Sequence, residues 1–153
     1  MTEEIIISKG DPRSPGARAL LETSHALMQS LFPPEDNFYL DIDDLCTPSI
    51  HFFTGTQGTE TLGCAALAVK DGYGEVKSMF VTSAARGTGL GGRLLEQVEQ
   101  EARNQGLPLL RLETGNLLKE AHRLYHRHGF TECGPFGDYP DAGSSIFMEK
   151  PLT

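Results

Sequence analysis

The chain has 153 residues, 39% of them apolar and 22% charged, the proportions of a soluble globular domain with one core. Its formal charge of −8, from 21 acids against 13 Lys and Arg, argues against nucleic acid as a partner, because such a face needs a basic patch to neutralise phosphates. No apolar run approaches the roughly 20 residues that span a bilayer, and the acidic start MTEEIIISKG lacks a basic n-region, so the expectation is a cytoplasmic protein without a membrane partner.

Ile5 to Ser8 reads as a first strand, followed by the breaker GDPRSPG. Ser14 and Pro15 then suit the N-cap and first position of a helix, and the apolar spacing from Ala17 to Leu31 carries it to about Phe32. Pro33-Pro34 ends it. The acidic stretch EDNFYLDIDDL fits either a short helix or an ordered loop.

Ile50 to Thr54, Leu62 to Val69 and Glu75 to Thr82 read as three antiparallel strands, with turns in TGTQGTET and DGYG. The period then changes. Leu90, Leu94, Leu95, Val98 and Ala102 form the stripe of an amphipathic helix ending near Gly106. A strand over Leu107 to Glu113 follows, then a helix from about Leu117 to His128 with Leu117, Leu118, Ala121, Leu124 and Tyr125 facing inward. Phe130 to Cys133 and Ser145 to Glu149 close the chain as strands around GPFGDYPDAGS. With no repeat or linker, residues 1–153 are expected to form a single α/β domain. Cys46, Cys64 and Cys133 lack any C-x-x-C pair, which disfavours a disulfide framework or a zinc site.

Between the third strand and the amphipathic helix lies RGTGLGGR, in which Gly87, Gly89 and Gly92 satisfy G-x-G-x-x-G. Glu113 stands near where a dinucleotide fold would place its ribose-binding acid. Two features oppose that reading: the glycines fall past the middle of the chain, and the strand before them closes an antiparallel meander. A P-loop is excluded, since G-x-x-x-x-G-K-[ST] does not occur. What remains is an anion site, with amides at a helix start and Arg86 and Arg93 at its edges, suited to a phosphate or diphosphate.

Met79-Phe80-Val81 followed by Arg86-Gly87-Thr88-Gly89-Leu90-Gly91 and Leu94 resembles motif A of the GCN5-related N-acetyltransferases, the GNAT superfamily. Ala121, Leu124-Tyr125 and Gly129-Phe130 are similar to its second motif, A-x-x-L-Y-x-x-x-G-F. The resemblance covers nearly the whole chain. It implies a mixed, mostly antiparallel sheet of six to seven strands, about four helices and a V-shaped cofactor cleft between the strands around Val81 and Leu110. It also implies acetyl-CoA as donor, its pantetheine arm beside Met79, Phe80 and Val81 and its diphosphate on the amides from Arg86 to Gly92, with Arg93 at the edge. No metal is implied. The chain departs from the family pattern at Ser83, where many members carry proline, and at Leu118, where many carry asparagine; Asn116 lies two residues earlier.

By the same resemblance Tyr125 is the general acid for the departing thiolate; the alternative is a ring packed in the core. Glu75 stands where some members carry the general base, against the alternative of a solvated glutamate opposite Lys77. His122 and His126, four apart on one helix, read as surface residues rather than zinc ligands. Asp36, Asp138 and Tyr139 lie on two loops beside the expected cleft and are candidates for holding a cationic amine, or simply solvated loop residues. The function expected is transfer of an acetyl group to an amine of a small molecule or peptide. The competing class is a non-catalytic acyl-CoA-binding or sensing module. An exposed last strand offers an edge for a homodimer.

Overall fold

The computed structural model describes residues 4–141 and 143–152. Its elements are β1 (Ile6–Lys9), α1 (Pro15–Leu31), α2 (Ile42–Leu45), β2 (Ile50–Gln57), β3 (Glu60–Val69), β4 (Gly74–Val81), α3 (Leu90–Asn104), β5 (Leu109–Gly115), α4 (Lys119–Arg127), β6 (Thr131–Cys133) and β7 (Ser145–Pro151). The strands form one sheet in the order β1-β2-β3-β4-β5-β7-β6. Every pairing is antiparallel except β4 with β5.

β3 lies at the centre of the larger half and is buried from Leu62 to Ala68. Its alternation serves two cores. Ala65 and Leu67 join the cluster under α3, with Leu90, Leu94, Leu95 and Val98, while Cys64 and Ala66 join Ala17, Leu20 and Leu21 of α1 on the opposite face. Small side chains along β3 let a helix lie close on each side. Burial pushes the Cys64 thiol up to about 12, as suits a core thiol.

Local readings are corrected in places and resolved in others. The stretch TGTQGTET is mostly strand, because β2 runs to Gln57 and β3 starts at Glu60; only Gly58 and Thr59 turn, with Gly58 at φ 60°. The acidic stretch after α1 divides into a 3-10 turn over Pro34–Asp36 and α2. Helix α4 begins at Lys119, and Leu117 is 55% exposed rather than inward-facing. Ser14 takes the N-cap position, yet its hydroxyl donates backward to Asp11 O at 2.7 Å.

Two features shape the sheet's middle. Ser78 has φ 54°, and the β3–β4 register slips by one residue between Cys64↔Phe80 and Ala66↔Lys77, which marks a bulge in β4. β4 and β5 pair only at Gly74↔Leu110 and Glu75↔Arg111. Beyond those pairs β4 continues with β3 to Val81 and β5 with β7 to Gly115, so the two strands part.

At the open end Gly115 lies under the Phe32 ring that follows α1; a Cβ there would come within 2.2 Å of Phe32 Cζ. Gly115→Ala is expected to cost about 1–3 kcal/mol, the range for overpacking a tight contact. Urea unfolding checks this, and an unchanged midpoint would show that Phe32 shifts freely.

Candidate active site

The parting of the strands opens a cleft of about 1040 Å³. Its walls include Met79, Phe80 and Val81 of β4, residues 85–87 and 89 before α3, the first turns of α3, one side of α4 along its length, and the C-terminal half of α1. Of the expected cofactor-binding residues, Met79, Phe80, Val81, Arg86, Gly87, Gly89, Leu90, Gly91, Gly92 and Arg93 line it. Thr88 instead holds the turn into the helix, its hydroxyl donating to Ala85 O at 2.5 Å and accepting from the Leu90 N–H at 3.4 Å.

The glycines divide their work. Gly87 and Gly89 adopt φ 81° and 84° with open space around them, so backbone conformation is what demands glycine. Gly91 and Gly92 admit α4: a Cβ would lie 3.2 Å from Leu124 Cδ2 at Gly91 and 2.9 Å from His128 Nε2 at Gly92. The first intrahelical bond of α3 runs from the Arg93 N–H to Gly89 O at 3.1 Å. The amides of Gly91 and Gly92 therefore precede the helical ladder and suit an anion.

Cationic side chains surround this end. Arg86 is exposed and lies 3.7 Å from Glu120, while Arg93 donates to Ile5 O at 2.9 Å. Lys119, Arg123 and Arg127 of α4 add charges to the wall that the apolar pattern of α4 did not reveal. His122 is half-buried rather than on the surface, with Nε2 2.8 Å from Gly115 O.

Glu75 is 4% exposed, which overturns the picture of a solvated glutamate. It accepts a hydrogen bond from the Tyr139 hydroxyl, and Lys77 Nζ lies 3.4 Å away. Lys77 also donates to Tyr139 Oη at 2.7 Å and to Phe38 O at 3.1 Å, tying both flanking loops to β4. Asp36 accepts from Ser144 Oγ at 2.5 Å, a second tie between those loops. Burial and then the charge of Glu75 push the Tyr139 phenol well above its ordinary range. Asp138 is exposed on its loop.

Tyr125 is 6% exposed and packs at 5.8 Å from the Phe130 ring, in the core behind Ala121 and Leu124 of the cleft wall. Burial first, and the charge of Glu113 second, raise its pKa far above the ordinary phenol. The structure thus brings Glu75 and Tyr139 together and leaves both, with Tyr125, Asp36 and Asp138, outside the cleft's lining residues.

The residue whose place in the site the sequence reading missed is Glu113, which was weighed there only as a ribose-binding acid. It lies on the same face of β5 as Arg111, alternating with the core residues Leu110 and Leu112. LLRLETG carries that signal, because polar residues alternate with apolar ones in a strand without an exposed face. Glu113 accepts from Ser145 Oγ at 2.8 Å, and its charge interacts with Glu75, Lys77 and Tyr125. Burial raises its carboxyl above the ordinary value of 4.5, against the pull of Ser145 and Lys77.

A carboxyl raised in the folded state adds stability that is complete below its unfolded value and lost as pH rises through the folded one. Glu113→Gln cannot ionise and lacks that contribution. The melting temperature of the wild type minus that of the variant is therefore expected to fall as pH rises from about 4 to 7. A constant difference would contradict the desolvation.

The acetyltransferase (GNAT) family model matches residues 18–130. The chain is 41% identical to the IAA acetyltransferase of Azospirillum brasilense, over 97% of this chain and 98% of that one. It is 33% identical to an uncharacterized N-acetyltransferase of Escherichia coli, over 95% and 94%. A solved Klebsiella pneumoniae structure assigned as an acyl-CoA N-acyltransferase superposes with a TM-score of 0.82 at 30% identity, covering 97% and 98%. An aminoglycoside 6'-N-acetyltransferase solved with coenzyme A shares the fold, with a TM-score of 0.72 at 20% identity over 97% of each chain. The chain therefore belongs to the acetyltransferase (GNAT) family and is an N-acetyltransferase.

Proposed function

We propose that the chain forms one acetyltransferase domain that moves the acetyl group of acetyl-CoA directly to a primary amine on a small molecule or peptide. The observation that carries this reading is the cleft that β4 walls together with α1, α3 and α4, cationic at a glycine-rich helix start and bordered by a strand edge without a ladder partner. The diphosphate of acetyl-CoA would lie on the amides of Gly89 to Gly92, among Arg86, Lys119 and Arg123. The pantetheine arm would hydrogen-bond to the β4 edge near Met79 to Val81, where the acyl carbonyl meets the amine.

The amine must lose a proton to attack, and the thiolate of coenzyme A must be stabilised or protonated as it leaves. Tyr125 is the group that serves the thiolate. Its burial keeps the phenol protonated, and it stands one layer behind Ala121 and Leu124. Glu75 is the base in this reading, reached through water because Tyr139 and Lys77 already occupy its carboxylate. Glu113 supports a second reading of the base. Burial raises its carboxyl, the direction that suits a base at neutral pH, and its charge acts on Tyr125.

Tyr125→Phe is expected to lower kcat by about 10²-fold while leaving the KM for acetyl-CoA unchanged. Amine acetylation followed by thiol release from pH 7 to 9 reads this, and an unchanged kcat removes Tyr125 from the chemistry. Comparing Glu75→Gln with Glu113→Gln identifies the base, since the true one abolishes the acidic limb of the kcat profile.

Acetyl-CoA at a hundredfold excess over its Kd is expected to raise the melting temperature by roughly 5–10 °C, and NAD to leave it unmoved. A response to NAD alone would reinstate the dinucleotide reading. Acetyl-CoA binding with no acetylation across a broad amine panel would favour the sensing module.

A further inference from the structure

The cleft divides sharply by chemistry. Every charged side chain among its described lining residues belongs to the loop before α3, to α3 or to α4. The opposite end is walled by Leu27, Met28 and Leu31 of α1, by Phe80, and by Leu117 and Leu118 between β5 and α4. Leu31 is 37% exposed and Leu117 55%, one on each wall. A lone exposed leucine carries no message, but six large apolar side chains on one concave rim form a contact surface.

The acids expected to receive a cation are elsewhere. Asp36 is bonded to Ser144 and Asp138 is exposed on its loop; neither lines the cleft, and nor does Glu75, the expected base, which Tyr139 and Lys77 hold. The carboxylates that line the cleft, Glu96 and Glu120, belong to α3 and α4, and Glu120 faces Arg86, so a second positive charge on an acceptor seated at the α1 wall would lie against apolar side chains. For a single amine the same wall is useful. Apolar surroundings disfavour the ammonium form and so favour the neutral nucleophile that the reaction requires.

From this we infer that the acceptor is a primary amine carried on an apolar body, aliphatic or aromatic, seated between α1 and the β5–α4 connection. The inference rests on the N-acetyltransferase reading and narrows its substrate class. It excludes polyamines, aminoglycosides and basic peptides as the preferred acceptors. Leu31 and Leu117 set specificity, and the charged end of the cleft serves the donor alone.

The test is thiol release from acetyl-CoA with phenethylamine, tryptamine and hexylamine set against ethanolamine, spermidine and kanamycin. The apolar amines are expected to show kcat/KM at least about tenfold above the polar ones. Leu31→Asp and Leu117→Asp replace exposed residues. Each is expected to raise the KM for phenethylamine about fivefold or more, while acetyl-CoA shifts the melting temperature as in the wild type.

Preference for spermidine or kanamycin would overturn the inference and leave the acetyltransferase reading intact. So would variants that change the KM for acetyl-CoA instead of the amine, since the rim would then belong to the donor's arm. No turnover of any amine, with acetyl-CoA still raising the melting temperature, would overturn both.

Discussion

The active cleft depends on one failure of pairing. Among the described residues, two parallel register positions, Gly74↔Leu110 and Glu75↔Arg111, are the only ladder pairs between the half-sheet β1–β4 and the half-sheet β5–β7–β6. Each strand stays in its own half beyond that point, so the gap is maintained by the antiparallel ladders on either side. The bulge at Ser78 bends β4 where the gap begins, since an extra residue raises local twist. One shared core beneath α3 holds the halves together, with Leu94 and Val98 in the same cluster as Leu67 and Leu112. The opening is therefore a product of backbone geometry supported by a conventional hydrophobic core.

Three environments border this gap, and their physical differences order the chemistry. At the start of α3, positive-φ glycines and helix amides meet arginines of two helices, which suits a highly charged anion. At the far end the α1 wall is apolar. Behind β4 and β5 lies a buried polar cluster in which Lys77 bonds to Tyr139 and Phe38 and sits beside Glu75, with Glu113 close enough to feel their charges. Burial strengthens each of those interactions and penalises any unpaired charge among them. The two flanking loops are thereby anchored to β4. Tyr39 adds a second attachment, stacking on His25 of α1 at 4.0 Å and accepting a hydrogen bond from Gln29.

Much of this architecture is legible in the residues. The change from strand alternation to helical spacing after Val81 locates α3, and the RGTGLGGR stretch locates the anion site, because glycine content and helix periodicity are local properties. The separate roles of Gly87 and Gly89 as against Gly91 and Gly92 are not local, since the second pair depends on how closely α4 approaches. The solvated alternative for Glu75 rested on its place at a strand start; the sheet around it and Tyr139, 64 residues away in the chain, bury it instead. Glu113 was noticed for its spacing from the glycine turn, as a ribose-binding acid, and its place beside Tyr125 and Glu75 depends on contacts between strands distant in the chain. The cationic face of α4 was concealed in the same way, whereas the apolar stripe of α1 was legible in its spacing and only its position on a gap made by other elements was not.

The central claim is that the parted strands and the following glycine turn together form the coenzyme A site. Amide hydrogen exchange with and without coenzyme A tests it most directly, because exchange reports local opening along the backbone. The account predicts that bound coenzyme A slows exchange in two segments, Met79 to Val81 and Gly87 to Arg93, and leaves the β1–β2 edge unchanged. Protection confined to other parts of the sheet, or none in the glycine turn, would contradict it.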